Sequence, residues 1–180
     1  MLCYNFINLI RNLFMKRYQV LKPLIFVLAC IIAARFFLPA NWTPILALAL
    51  FMPYVTQKRS IQVLMPIGIL LITDIFLGFY GQTMYFVYAS LVLIALISNY
   101  QSKGSLLSLM KYSVGSVLIW HIVVNFGVYL NGHDGSSLSQ TYLLAIPFDL
   151  RLMASTIVFS LVFYSAWATK EYLESSSKEA

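Results

Sequence analysis

Charge is what this sequence has least of. Only 10% of its 180 residues are Asp, Glu, Lys or Arg, just six are acidic, and 61% are hydrophobic. A soluble domain carries about 25% charged residues, so a water-facing surface is excluded; with a mean hydropathy of +0.82, an integral membrane protein is implied. Cysteine is equally scarce. Cys3 and Cys30 lie far apart, and Cys30 sits inside an apolar run, where a free thiol behaves as a small hydrophobe. Neither a disulfide framework nor a metal site follows, and nothing calls for a cofactor. Paired carboxylates, an HExxH helix and a Ser/His pair at a common depth are also missing, which argues against an intramembrane enzyme. His133-Asp134 is a dipeptide within the turn-forming run NGHDGSS. The net charge of +6 comes in short Lys/Arg clusters between apolar runs, which is the pattern of cytoplasmic loops and not of a nucleic-acid surface.

What the chain has in abundance is apolar run after apolar run. A helix needs roughly 20 apolar residues to cross a bilayer, and the candidate spans are about 22–38, 43–56, 60–79, 84–100, 106–129 and 149–170. The chain thus divides into a basic segment 1–21, a six-helix membrane domain 22–170 and a polar tail 171–180. Arg11, Lys16, Arg17 and Lys22 before the run Pro23 to Ala34 resemble the start of a signal peptide, but Arg35 and Phe36 stand where a small-residue cleavage site would be. We read an uncleaved first helix. Residues 4–14 are either a short interfacial helix or a consequence of start-site choice, since Met15 is an alternative beginning. Thr43 and Pro44 suit a helix start, and Pro53 and Pro66 are expected to kink the second and third helices. All Lys and Arg except Arg35 and Arg151 fall on one side of this topology. That side is the cytoplasm, so both termini are cytoplasmic. The loop 131–148 on the far side contains the amphiphilic stretch LSQTYLLAIPF, which serves either as a lid or as an ordinary interfacial loop.

The exception to the apolar pattern is RFFLPANWTP, Arg35 to Pro44. Charge inside a membrane is expensive and survives only with a partner. Counting from the cytoplasmic anchors at about 1.5 Å per residue puts Arg35, Thr43, Asp74 and Asn125 all roughly 20 Å up, with His121 one turn below Asn125. Four helices therefore bring polar groups to one level. The expected site is an outer pocket of Arg35, Asn41, Trp42, Thr43, Asp74, His121 and Asn125, with Tyr80, Tyr85, Tyr88 and Tyr129 at its rim and Arg35 paired to Asp74. The competing reading is a structural ion pair that locks the first and third helices. Ala29 and Ala33 form a small-xxx-small face on the first helix, fit for close packing within the bundle or against a partner.

RFFLPANWTPILALALF, the PIGILLITDIFLGFY stretch with Pro66, Asp74 and Gly78, NFGVYL from Asn125 and AIPF from Ala145 resemble a family of uncharacterised bacterial membrane transport proteins. The likeness covers roughly residues 28–165. It departs after Pro147-Phe148, where this chain reads DLRLMAST and the family more often has an Asn with a Gly-Asp pair. That family is similar in size and topology to the substrate-binding S components of energy-coupling factor transporters. The resemblance implies an all-α, S-component-like bundle in the bacterial cytoplasmic membrane that binds a vitamin-like small solute from outside. It also implies docking through Ala29 and Ala33 on a transmembrane coupling protein with its ATPase module. A scaffold of the rod-shape-determining type is the alternative: a six-helix membrane protein of similar size that binds no solute.

Overall fold

The computed structural model describes residues 29, 31–132 and 135–179; the basic segment 1–21, Cys3, Cys30 and His133-Asp134 lie outside them. The described chain is helical: α1 (31–37), α2 (Ile45–Val55), α3 (Arg59–Leu77), α4 (Thr83–Ile97) with a single 3-10 turn at Ser98–Tyr100, α5 (Leu106–Asn131) and α6 (Leu138–Glu179). No strand occurs among the described residues. Four helices are long and apolar enough to cross a membrane. Only 28–33% of the most apolar 18 residues of each is buried, and the outward faces carry side chains such as Leu64, Phe76, Leu118 and Val162. Surfaces of that kind belong in hydrocarbon.

The second expected span is a short helix at the centre of the bundle. α2 has 11 residues and reaches about 16 Å, less than the thickness of a bilayer core. Every residue from Ile45 to Pro53 is buried, because α3, α4, α5 and α6 all pack around it. A helix that is apolar on every face belongs in the middle of a bundle. Its start also differs from expectation: Pro44 occupies the N-cap with no side-chain hydrogen bond, and the Thr43 hydroxyl is buried without a partner. Pro53 and Pro66 lie inside helices that continue through them.

Because lipid tails are as apolar as leucine, close packing and hydrogen bonding hold such a bundle more than hydrophobic transfer does. Small and hydroxyl residues accordingly mark the contacts. Ala47, Ala49, Ser90, Ser113, Ser155 and Ser160 are completely buried. The Ser113 and Ser160 hydroxyls meet at 3.1 Å between α5 and α6, and Gly127 of α5 lies so close to Phe86 of α4 that a Cβ would overlap the ring.

α6 overturns the expected outer loop. Its 42 residues extend about 63 Å, roughly twice the thickness of a bilayer core. It begins at Leu138 instead of 149, so the amphiphilic stretch LSQTYLLAIPF is its first three turns, and it runs on through the expected tail to Glu179. Ser137 and Gln140 explain the early start: the Gln140 amide donates to the Ser137 hydroxyl at 3.4 Å, and the Ser137 amide donates to Gln140 Oε1 at 3.0 Å. This reciprocal pair is a capping box.

The two ends of the bundle differ in character. At one, Lys58 precedes α3, Lys103 Nζ donates to Gln57 Oε1 at 3.0 Å, and Tyr164 donates to the Gly104 carbonyl at 2.8 Å. At the other, Arg35, Asp74, Asn125 and the linker 38–44 come together around a cavity.

Candidate functional site

The linker between α1 and α2 builds one wall. Pro39 cannot continue α1, the Trp42 amide donates to the Pro39 carbonyl at 2.9 Å, and Asn41 adopts φ 65. A positive φ costs most residues about 1 kcal/mol or more, and Asn is among the few that tolerate it. The turn is pinned across the bundle by Ser155 of α6, which donates to the Thr43 carbonyl at 2.9 Å.

The cavity so formed has a volume of about 610 Å³. Arg35, Asn41, Trp42 and Thr43 line it from the linker side, Leu70 and Tyr80 from α3 and the turn after it, Thr83 and Val87 from α4. Trp120, Val124 and Asn125 belong to α5, and Thr141, Ala145, Phe148, Asp149 and Leu152 to α6. The stretch expected as a lid or an ordinary interfacial loop is therefore a helical wall.

Arg35 and Asp74 pair as expected, Nη2 to Oδ1 at 2.8 Å. Asp74 is 1% exposed and does not reach the cavity; its other oxygen accepts from Tyr80 at 3.1 Å and Tyr88 at 3.0 Å. With three donors on it, the carboxylate is satisfied within the protein, and its effect on the cavity passes through Arg35. Tyr80, in the turn after α3, has its hydroxyl pKa raised by burial first and then by the Asp74 charge and their hydrogen bond, so it remains a donor. The Arg35 Nε is buried without a partner.

His121 is likewise set behind the cavity wall. Its Nδ1 donates to Asp149 Oδ2 at 2.7 Å, and Asn125 Nδ2 donates to the same oxygen at 3.0 Å and to the His121 carbonyl at 2.9 Å. An acceptor-only carboxylate fixes the proton on Nδ1. The ring packs edge-on against Tyr142 at 5.2 Å between centroids, which holds its orientation. Of the expected site residues, Arg35, Asn41, Trp42, Thr43 and Asn125 thus line the cavity, while Asp74 and His121 position those that do. Tyr85 is 75% exposed on another face of α4, and Tyr129 also stands outside the lining. Arg151 points away, its guanidinium 5.8 Å from the Phe148 ring.

Asp149, Trp120 and Thr141 are lining residues that depth counting did not single out. Asp149 is an acid alone in the apolar run AIPFDLRLM, the same signal that marked Asp74; it was masked by the assumption that a span began there. Ala29 is exposed and Ala33 half-buried, so this face of α1 is not closed off by the described bundle. Among the described residues no three His, Cys, Asp or Glu side chains gather as a metal site.

No curated protein and no solved structure matches the chain. A sequence family does, over residues 15–177, which is most of the chain and includes every residue of the cavity. The chain belongs to that family, the family of unknown function DUF6580.

Proposed function

We propose that the chain is a small-solute binding and transport protein of the bacterial cytoplasmic membrane, an S-component-like bundle with both termini inside and the cavity facing out. The observation that carries this reading is the cavity itself. Its volume of about 610 Å³ falls within the range of small-molecule sites, and it combines an apolar lining with a few convergent polar groups. The orientation rests on Lys58, Arg59 and Lys103 at the opposite end of the bundle, which the positive-inside rule assigns to the cytoplasm. Pro147 removes one backbone hydrogen bond between the first turns of α6, which form one side of the site, and the rest of the helix. The open Ala29–Ala33 face is available to a transmembrane coupling partner.

One observation favours the scaffold alternative. Asp74 is saturated by protein donors, as a purely structural pair would be, but a scaffold gives no reason for the cavity beside it. Native mass spectrometry in mild detergent separates the two readings when the wild type is compared with Ala145→Phe, which fills the cavity from α6 without touching a polar group. A discrete small-molecule adduct in the wild type and none in the variant is the expected result. An adduct retained equally by both proteins would place any binding elsewhere and remove the support for this site.

A further inference from the structure

The charges lining the cavity narrow the solute class, an inference that rests on the binding reading above. Arg35 is fixed on one side by Asp74 of α3, which is itself held by Tyr80 and Tyr88. Its side chain stays 17% exposed, and Arg35, together with Thr43 of the linker, lines the cavity. Asp149 is fixed on another side. His121 and Asn125 of α5 both donate to its Oδ2, which leaves Oδ1 for a donor in the cavity that Asp149 lines. The lining therefore offers a guanidinium from α1 and a carboxylate from α6. Trp42 and Trp120 supply flat apolar surface to the same space.

We infer that the solute is dipolar, with an anionic group that faces Arg35 and Thr43, a cationic or N–H-donating group that faces Asp149, and a flat apolar body between the tryptophans. A solute bearing only negative charge would meet the Asp149 carboxylate, and one bearing only positive charge would meet Arg35. An uncharged apolar solute would leave the accessible part of the Arg35 guanidinium and the Asp149 carboxylate without polar partners. A solute with both ends complements both charges, and complementary potentials of this kind set specificity more than raw affinity.

The test uses three probes that share one ring: para-(aminomethyl)benzoate with both charges, para-toluate with only the anion and para-methylbenzylamine with only the cation. Binding of each is measured by isothermal titration calorimetry and ligand-dependent melting of the full chain in detergent, and the mass of any molecule retained through purification is determined. The zwitterion is expected to bind at least about tenfold more tightly than either half, the factor one good charge-assisted contact provides. Asp149→Asn should abolish its advantage over para-toluate. Arg35→Gln, which removes the guanidinium, should weaken the two carboxylate probes and not the amine. Equal binding of all three probes, or a retained molecule that lacks one of the two charges, would overturn the dipolar assignment and leave the binding reading in place. No retained molecule together with no probe binding at millimolar concentration would overturn both.

Discussion

Neutralising the Arg35–Asp74 pair, one member at a time and then together, tests whether this ion pair is held by mutual need. Asp74 is 1% exposed and Arg35 17%, so the two singles are not equivalent. Arg35→Gln leaves a carboxylate buried with only the Tyr80 and Tyr88 hydroxyls, and its cost lies near the lower end of the 3–5 kcal/mol typical of a broken buried pair, about 3 kcal/mol. Asp74→Asn leaves the guanidinium without a counter-charge, but Arg35 borders the cavity and water reaches it; about 2 kcal/mol is the expected loss. The double variant exchanges an ion pair for a neutral hydrogen-bonded pair. Since replacing both partners of a buried pair is often nearly neutral, its cost should be about 2 kcal/mol instead of the roughly 5 that additivity gives, a coupling of about 3 kcal/mol. Unfolding by SDS titration from mild detergent, followed by near-UV circular dichroism, measures all four proteins on one scale. Additivity within about 0.5 kcal/mol would refute the claim that each charge is buried on account of the other.

Further outcomes follow from individual contacts. Gly127→Ala, whose new Cβ would overlap the Phe86 ring, should lose about 1–3 kcal/mol in the same titration. Gly115→Ala, on the same helix with nothing within 4 Å, should be neutral or gain up to about 1 kcal/mol. At Asn41, where φ is 65, alanine should cost about 1 kcal/mol and glycine should not. Ser137→Ala removes the capping box at the start of α6 and should cost about 1 kcal/mol, seen as faster amide hydrogen exchange over residues 138–144 than over 150–156.

Some of the fold was legible in the sequence because membrane burial is a blunt physical filter. The expected spans 60–79, 84–100 and 106–129 correspond closely to α3, to α4 with its 3-10 turn, and to α5, since each is an apolar run bounded by polar or turn residues. ILALALFMPYV looked like a short span for the same reason, because hydropathy does not separate lipid contact from contact with other helices. Its 11 residues are shorter than a lipid-facing span and are covered by the helices around them. α6 was misjudged for a different reason. The amphiphilic stretch after NGHDGSS was read through its turn-forming approach, although Ser137 and Gln140 carry the spacing of a capping box immediately before an apolar run. Local capping chemistry decided the boundary there, and hydropathy did not report it.

The same distinction separates what was found of the site from what was missed. Depth counting identified Arg35, Thr43, Asp74 and Asn125 as belonging to one level, because rise per residue fixes height along a helix whatever its neighbours do. It carried no information about azimuth, so it could not tell that Asp74 turns toward Tyr80 and Tyr88 while Asn125 turns toward the cavity. Asp149 escapes depth counting because the expected span 149–170 begins at it and sets it at the outer end of its helix. Once α6 begins at Leu138, Asp149 lies three turns inside it and opposite His121 and Asn125. An acid at that position needs a donor partner as much as Asp74 does. The His121–Asn125 spacing of one helical turn supplies two donors to a single oxygen, which makes this cluster a counterpart of the Arg35–Asp74 pair. Asp74 has both oxygens paired within the protein, whereas Asp149 is held by one and lines the cavity.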